Sequence, residues 1–110
     1  MRPNGLHAFL DFFNCRENLS AEKLKRSAEK VCRESGLKII GKPHVAKFKK
    51  GGSTIVCILK KSHLVVHAYP EIKYFNVDIY ACGKFNLKKI VIIFSNELGA
   101  ERSKVRLDKI

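Results

Sequence analysis

The sequence lacks the long runs that would mark a membrane, a secreted or a disordered protein. Its apolar stretches are short, Ile90–Phe94 being typical, against the roughly 20 residues that a bilayer span requires. The opening MRPNGLHAFLDFF has no signal-peptide core followed by a small-residue cleavage site, so a cytoplasmic location is expected. No tandem repeat, low-complexity segment or linker interrupts the 110 residues, and one domain over 1–110 is expected. A hydrophobic content of 45% excludes disorder on composition. Metal motifs are missing too. The four cysteines, Cys15, Cys32, Cys57 and Cys82, form no C-x-x-C pair that could join His63 and His67, spaced H-x3-H, in a zinc finger. No metal is therefore expected. In a reducing compartment Cys15, Cys32 and Cys57 read as small buried hydrophobes.

Acidic residues are scarce. Ten stand against 22 lysines and arginines, a net charge of +12. Such a balance suits a polyanionic partner. Yet no run reaches five like charges, and the densest is Lys47–Lys50, KFKK. A solvated basic face is the better reading, and neither a nucleic-acid nor a membrane partner is expected.

What is present is strong periodicity. Gly5–Cys15 is aromatic-rich and reads as a strand. A helix is expected from Ala21, with Ser20 as N-cap and Glu22 in its first turn. Its apolar face carries Leu24, Ala28, Val31 and Cys32, and Gly36 stops it. The segment LKIIGKPHVAKFK reads as extended, broken at Gly41 and Pro43. After the turn signal Gly51-Gly52, STIVCIL and SHLVVHAY form two strands joined only by Lys60-Lys61. YFNVDIYACG alternates as a strand, NLKKIVIIFSNELGA reads as a second helix ending at Gly99, and SKVRLDKI as a last strand. The order predicts an α+β fold: a two-layer sandwich with a largely antiparallel sheet and two helices on one face.

One stretch resists a packing explanation. KKSHLVVHAYPE puts Ser62, His63 and His67 into an otherwise apolar strand, where buried strands normally carry Val, Ile and Leu. KSHLVVHAYPE followed by VDIYACG resembles the small prokaryotic S-adenosylmethionine decarboxylase family. That family has a Lys/Glu-Ser-His stretch, then His-x-Tyr/Trp-Pro-Glu, then a strand ending in Thr/Ala-Cys-Gly. The opening GLHAFLDFFNC is similar to the family's Gly-x-His strand ending in Cys. The resemblance runs from Gly5 to Gly83, with three chemically demanding positions, Ser62, His67 and Cys82, within 21 residues.

The resemblance implies a proenzyme that cleaves itself between Lys61 and Ser62, giving chains 1–61 and 62–110. The Ser62 hydroxyl would attack the Lys61 carbonyl and turn the peptide into an ester. β-Elimination then releases residues 1–61 and leaves dehydroalanine, which becomes a pyruvoyl group with loss of ammonia. A serine hydroxyl is a weak nucleophile, and strain in the tight Lys60-Lys61 connection would assist it. His67 would be the base of the elimination, a task suited to imidazole. Strand parity puts Ser62 and His67 on opposite faces, so their meeting requires a turn or bulge at Ser62. Thr54, with Ser53 as neighbouring option, maps to the helper hydroxyl of processing.

In turnover, the pyruvoyl group formed from Ser62 would take the substrate amino group as a Schiff base and act as electron sink, with no metal. Cys82 would be the proton donor. Phe48 and Tyr69 fall on aromatic positions expected to stack on adenine, and Glu71 on the carboxylate expected to accept from the ribose hydroxyls. His7 would line the site, and His63 is read as structural. The partners implied are S-adenosylmethionine as substrate and a second copy, as a homodimer of two-chain protomers with active sites near their interface. The implied role is to supply the aminopropyl donor for spermidine synthesis.

Two departures bear on the substrate. Ala68 stands in place of the family's usual Thr, and KFNL, Lys84–Leu87, replaces an acidic, proline-containing helix start. A sulfonium substrate favours negative charge or aromatic faces nearby. The alternatives are the same fold and pyruvoyl chemistry acting on arginine or ornithine, or a non-enzymatic basic nucleic-acid-binding domain.

Overall fold

The computed structural model describes residues 5–109. Met1–Asn4 of the opening stretch and Ile110, the expected end of the last strand, lie outside the described residues. The elements are β1 (Gly5–Phe13), α1 (Ala21–Ser35), β2 (His44–Lys47), β3 (Ser53–Leu59), β4 (Ser62–Tyr69), β5 (Tyr74–Cys82), α2 (Leu87–Leu98) and β6 (Arg102–Lys109), with a 3-10 turn at Pro70–Ile72. The strands form one six-stranded sheet in the order β2-β3-β4-β5-β1-β6. Every neighbouring pair is antiparallel.

The period-two pattern decides which face is buried. Ala8, Leu10 and Phe12 of β1, Leu64 and Val66 of β4, and Phe75, Val77 and Ile79 of β5 are almost fully buried. They meet Leu24, Ala28 and Val31 of α1 and Ile90, Phe94 and Leu98 of α2 in one core. Burying a side chain of this size stabilises the fold by about 1.5–3 kcal/mol. Both helices thus cover the same face, and the expected two-layer α+β sandwich is the observed one.

The helix ends follow the local chemistry. The Ser20 hydroxyl accepts from the Lys23 amide at 3.0 Å, a cap contributing about 1 kcal/mol. Gly36 closes α1 at φ 90°, where its amide donates to the Cys32 carbonyl. A side chain there would meet the left-handed penalty that glycine avoids. Asn86 caps α2 through the Lys89 amide at 3.0 Å. The helices are tied by Glu97 of α2, whose carboxylate accepts from Lys23 (3.1 Å), Ser27 (2.9 Å) and Lys30 (3.4 Å) of α1.

Sequence boundaries hold closely, with two differences. β1 ends at Phe13 rather than Cys15, because Asn14 turns the chain at φ 51°. The long extended segment shrinks to the four residues of β2 and one isolated bridge, Ile39 to Leu59. Among the described residues, no helix is long and apolar enough to cross a membrane.

Candidate active site

The β3–β4 hairpin sets the first half of the site. Leu59 pairs with Ser62, so Lys60-Lys61 is a two-residue connection. Lys61 sits at φ 55°, a left-handed conformation that costs a non-glycine residue about 1–2 kcal/mol. The strained residue is the one whose carbonyl precedes Ser62. The Ser62 Oγ accepts a hydrogen bond of 3.3 Å from the backbone N–H of Cys82. Cys82 ends β5 and is the one exposed thiol of the four. Ser62 and Cys82 line a cavity of about 160 Å³ with Leu37, Leu59 and three lysines, Lys38, Lys60 and Lys84. Lys84, from the KFNL departure, thus adds a cation to the lining of this cavity.

The other three cysteines are buried, as expected. Burial pushes the Cys15 thiol up to about 11. A hydrogen bond to Cys57, together with burial, also pushes Cys32 upward.

The second half lies at the far end of the same strand. His67 pairs in register with Thr54 and Asn76, and its Nδ1 lies 3.1 Å from the Thr54 Oγ1. Ser53, the alternative helper, is buried on the helix side and does not face His67. Thr54 and His67 line a cavity of about 320 Å³ together with Phe48, Tyr69 and Glu71. Phe48 is 56% exposed and Tyr69 42%, so both present ring surface at the cavity.

The two halves do not meet within one chain. Ser62 shares the helix-covered parity of Leu64 and Val66, while His67 shares the open face with His63 and Val65. The bulge that would bring them together is absent, since β4 pairs without interruption with β3 from Ser62 to Ala68. Five residues of strand separate them by about 17 Å at the usual ~3.3 Å rise. The connection at Ser62 is the hairpin turn, and it leaves the parity intact.

Sequence reading missed several neighbours on the open face. Tyr74 stacks on Tyr69 at 5.4 Å and on Phe13 at 5.4 Å, both at 29°. Its hydroxyl donates to Asp11, which also accepts from Asn76 at 3.1 Å. Burial and the bond to Asp11 push the Tyr74 phenol up to about 12. Tyr69, the candidate stacking ring, is thus one end of an aromatic row. Separately, His7 and His63 both approach Asp78. These groups come from different strands, so only the sheet register could reveal them.

A serine after a strained turn, held by a backbone amide beside a thiol, with a hydroxyl–imidazole pair on the same strand, suits serine-initiated chemistry on the backbone. Comparison with known proteins gives the family. Residues 6–109 match the family model described as S-adenosylmethionine decarboxylase. An S-adenosylmethionine decarboxylase proenzyme of Aeropyrum pernix is 33% identical over 87 residues, covering 76% of this chain and 65% of its own length. The proenzyme of Clostridium botulinum strain Langeland is 31% identical over 101 residues, covering 89% of this chain and 86% of its own. The chain thus spans somewhat under two thirds of the Aeropyrum relative. The crystal structure of the adenosylmethionine decarboxylase from Aquifex aeolicus superposes with a TM-score of 0.85 at 22% identity, covering 99% of this chain and 92% of that one. At that identity it shows the shared fold. This chain belongs to the S-adenosylmethionine decarboxylase family.

Proposed function

We propose that the chain is a proenzyme that cleaves itself between Lys61 and Ser62 and then decarboxylates S-adenosylmethionine, supplying the aminopropyl donor for spermidine synthesis. The observation that carries the reading is the Ser62 turn: left-handed Lys61, the scissile bond, and an Oγ anchored by the Cys82 amide. Ser62 Oγ adds to the Lys61 carbonyl, and the C–N bond breaks to give an ester and a free Ser62 amine. Relief of the Lys61 conformation favours that shift. Loss of the Ser62 Cα proton to a base then expels the Lys61 carboxylate.

The residues around Ser62 fit a pyruvoyl group. The position is the N-terminus of a strand, with a thiol at its side and a small cavity in front. Once formed, that group supplies a carbonyl electron sink for loss of carbon dioxide. Cys82 delivers a proton at the reacting carbon. Phe48 and Tyr69 stack on adenine, and Glu71 accepts from the ribose hydroxyls.

The separation of the halves supports a homodimer in which the His67–Thr54 end of one chain serves the Ser62–Cys82 end of the other. His67 is the proton acceptor of the elimination step, and Thr54, 3.1 Å from its Nδ1, orients the ring. The substrate test is carbon dioxide release from carboxyl-labelled S-adenosylmethionine, arginine and ornithine. Release from S-adenosylmethionine alone is expected. Preference for arginine or ornithine overturns the assignment of Phe48 and Tyr69.

A further inference from the structure

We propose that His7, His63 and Asp78 form a binding site for a first-row divalent transition-metal ion of the Zn2+ type on the helix-free face of the sheet. The three residues stand on adjacent strands, β1, β4 and β5. The register places His7 and His63 on either side of Tyr80, and Asp78 two residues along the central strand. All three share the open-face parity.

The geometry is close to a coordination sphere. The Nε2 of His7 lies 2.7 Å from the Asp78 Oδ1, and the Nε2 of His63 lies 3.2 Å from the same oxygen. One ligand atom from each residue lies within 4.8 Å of the other two. Tetrahedral zinc has metal–nitrogen and metal–oxygen distances of about 2.0–2.2 Å, so neighbouring ligand atoms sit roughly 3.3 Å apart. Small side-chain shifts reach that arrangement. Two imidazoles and one carboxylate select zinc, cobalt or nickel over magnesium or calcium, which prefer all-oxygen shells. The three side chains are 31–40% exposed, which leaves a remaining coordination position open to water.

The rings are held before any ion arrives. His7 lies against Phe9, with centroids 4.3 Å apart, and both imidazoles border Tyr80 at 6.0 and 6.3 Å. Tyr80 can lie there because residue 5 is glycine: a Cβ on Gly5 would stand 2.6 Å from its Cε1. None of the metal site's three residues is assigned a step in the proposed processing, although the resemblance has His7 lining the active site. Metal occupancy would pin β4 one residue after Ser62.

The test is titration of the intact protein with zinc chloride in a non-chelating buffer, followed by calorimetry and by histidine side-chain NMR. The expected result is saturable binding of one Zn2+ per chain at micromolar affinity. The His7 and His63 ring signals shift, and those of His44 and His67 do not. Asp78→Asn and His63→Gln each weaken binding at least tenfold, and His44→Gln does not. Absence of saturable binding overturns the proposal, as does unshifted His7 and His63 in the wild-type protein, a reading that needs no variant to fold. A thiolate charge-transfer band on Co2+ substitution that disappears in Cys82→Ser also overturns it, since the ion is then held by Cys82.

Discussion

Ser62 and Cys82 touch through a backbone amide and not through the thiol, and this separates their roles. Cys82→Ala keeps the amide that holds the Ser62 Oγ at 3.3 Å. Self-cleavage should therefore proceed, while decarboxylation falls by the 10²-fold or more that losing a general acid typically costs. Comparing chain cleavage on denaturing gels with carbon dioxide release checks both halves of that statement. Lys61 makes a second residue-scale prediction. Lys61→Gly removes the left-handed penalty of φ 55°, so in a Ser62→Ala background it should stabilise the uncleaved chain by up to about 1 kcal/mol. With Ser62 present, the same change should slow cleavage. An unchanged cleavage half-time alongside the gain in stability would separate turn strain from the reaction. The sequence exposed Ser62 and His67 because polar side chains are out of place in an apolar strand, and Cys82 through the resemblance to the family. It did not expose Lys61's backbone angle, which only the closed hairpin defines.

At the scale of elements, strands and caps were legible because their signals are local. Alternation marked β5 and β6 and aromatic residues marked β1, while Ser20 and Gly36 marked the ends of α1. β2 was blurred because all four of its residues are exposed and carry no alternation. Contacts between strands were not legible, since register sets them. The row Phe13–Tyr74–Tyr69 is an example. Tyr74 backs the candidate stacking ring, so Tyr74→Leu should raise KM several-fold, with a smaller change in kcat and normal cleavage, in steady-state assays. The α1–α2 tie gives a pH prediction. Burial would raise Glu97, but bonds to Lys23 and Ser27 and the charges of Lys23 and Lys30 hold it below the ordinary carboxylate value. Its folded pKa is the lower one, so its contribution is present above the unfolded pKa and fades as pH falls through the folded one. Glu97→Gln should lower the urea midpoint at pH 7, and the difference from wild type should shrink as pH drops below about 4. A difference that persists undiminished at pH 3 would contradict this.

At the scale of the whole molecule, the sheet places the His67–Thr54 pair and the Ser62–Cys82 pair at opposite ends of β4. Parity foretold the two faces. The regular pairing of β4 with β3 keeps the two ends apart, and the proposed homodimer would join them. A mixture of Ser62→Ala and His67→Asn chains, each inert alone, should regain cleavage of the His67→Asn chain once co-refolded, because one composite site is intact. Failure in a mixture shown to contain mixed dimers would contradict the shared site. The net charge of +12 acts over the same scale. S-Adenosylmethionine is itself net cationic, so salt should lower KM by screening repulsion from the lysines around Ser62. Self-processing at Ser62 is read from the denaturing intact mass of the purified protein. Two fragments are expected, 1–61 and 62–110, the second lighter by one ammonia than hydrolysis would give, with a single uncut chain for Ser62→Ala. A wild-type chain that stays uncut after long incubation would contradict it.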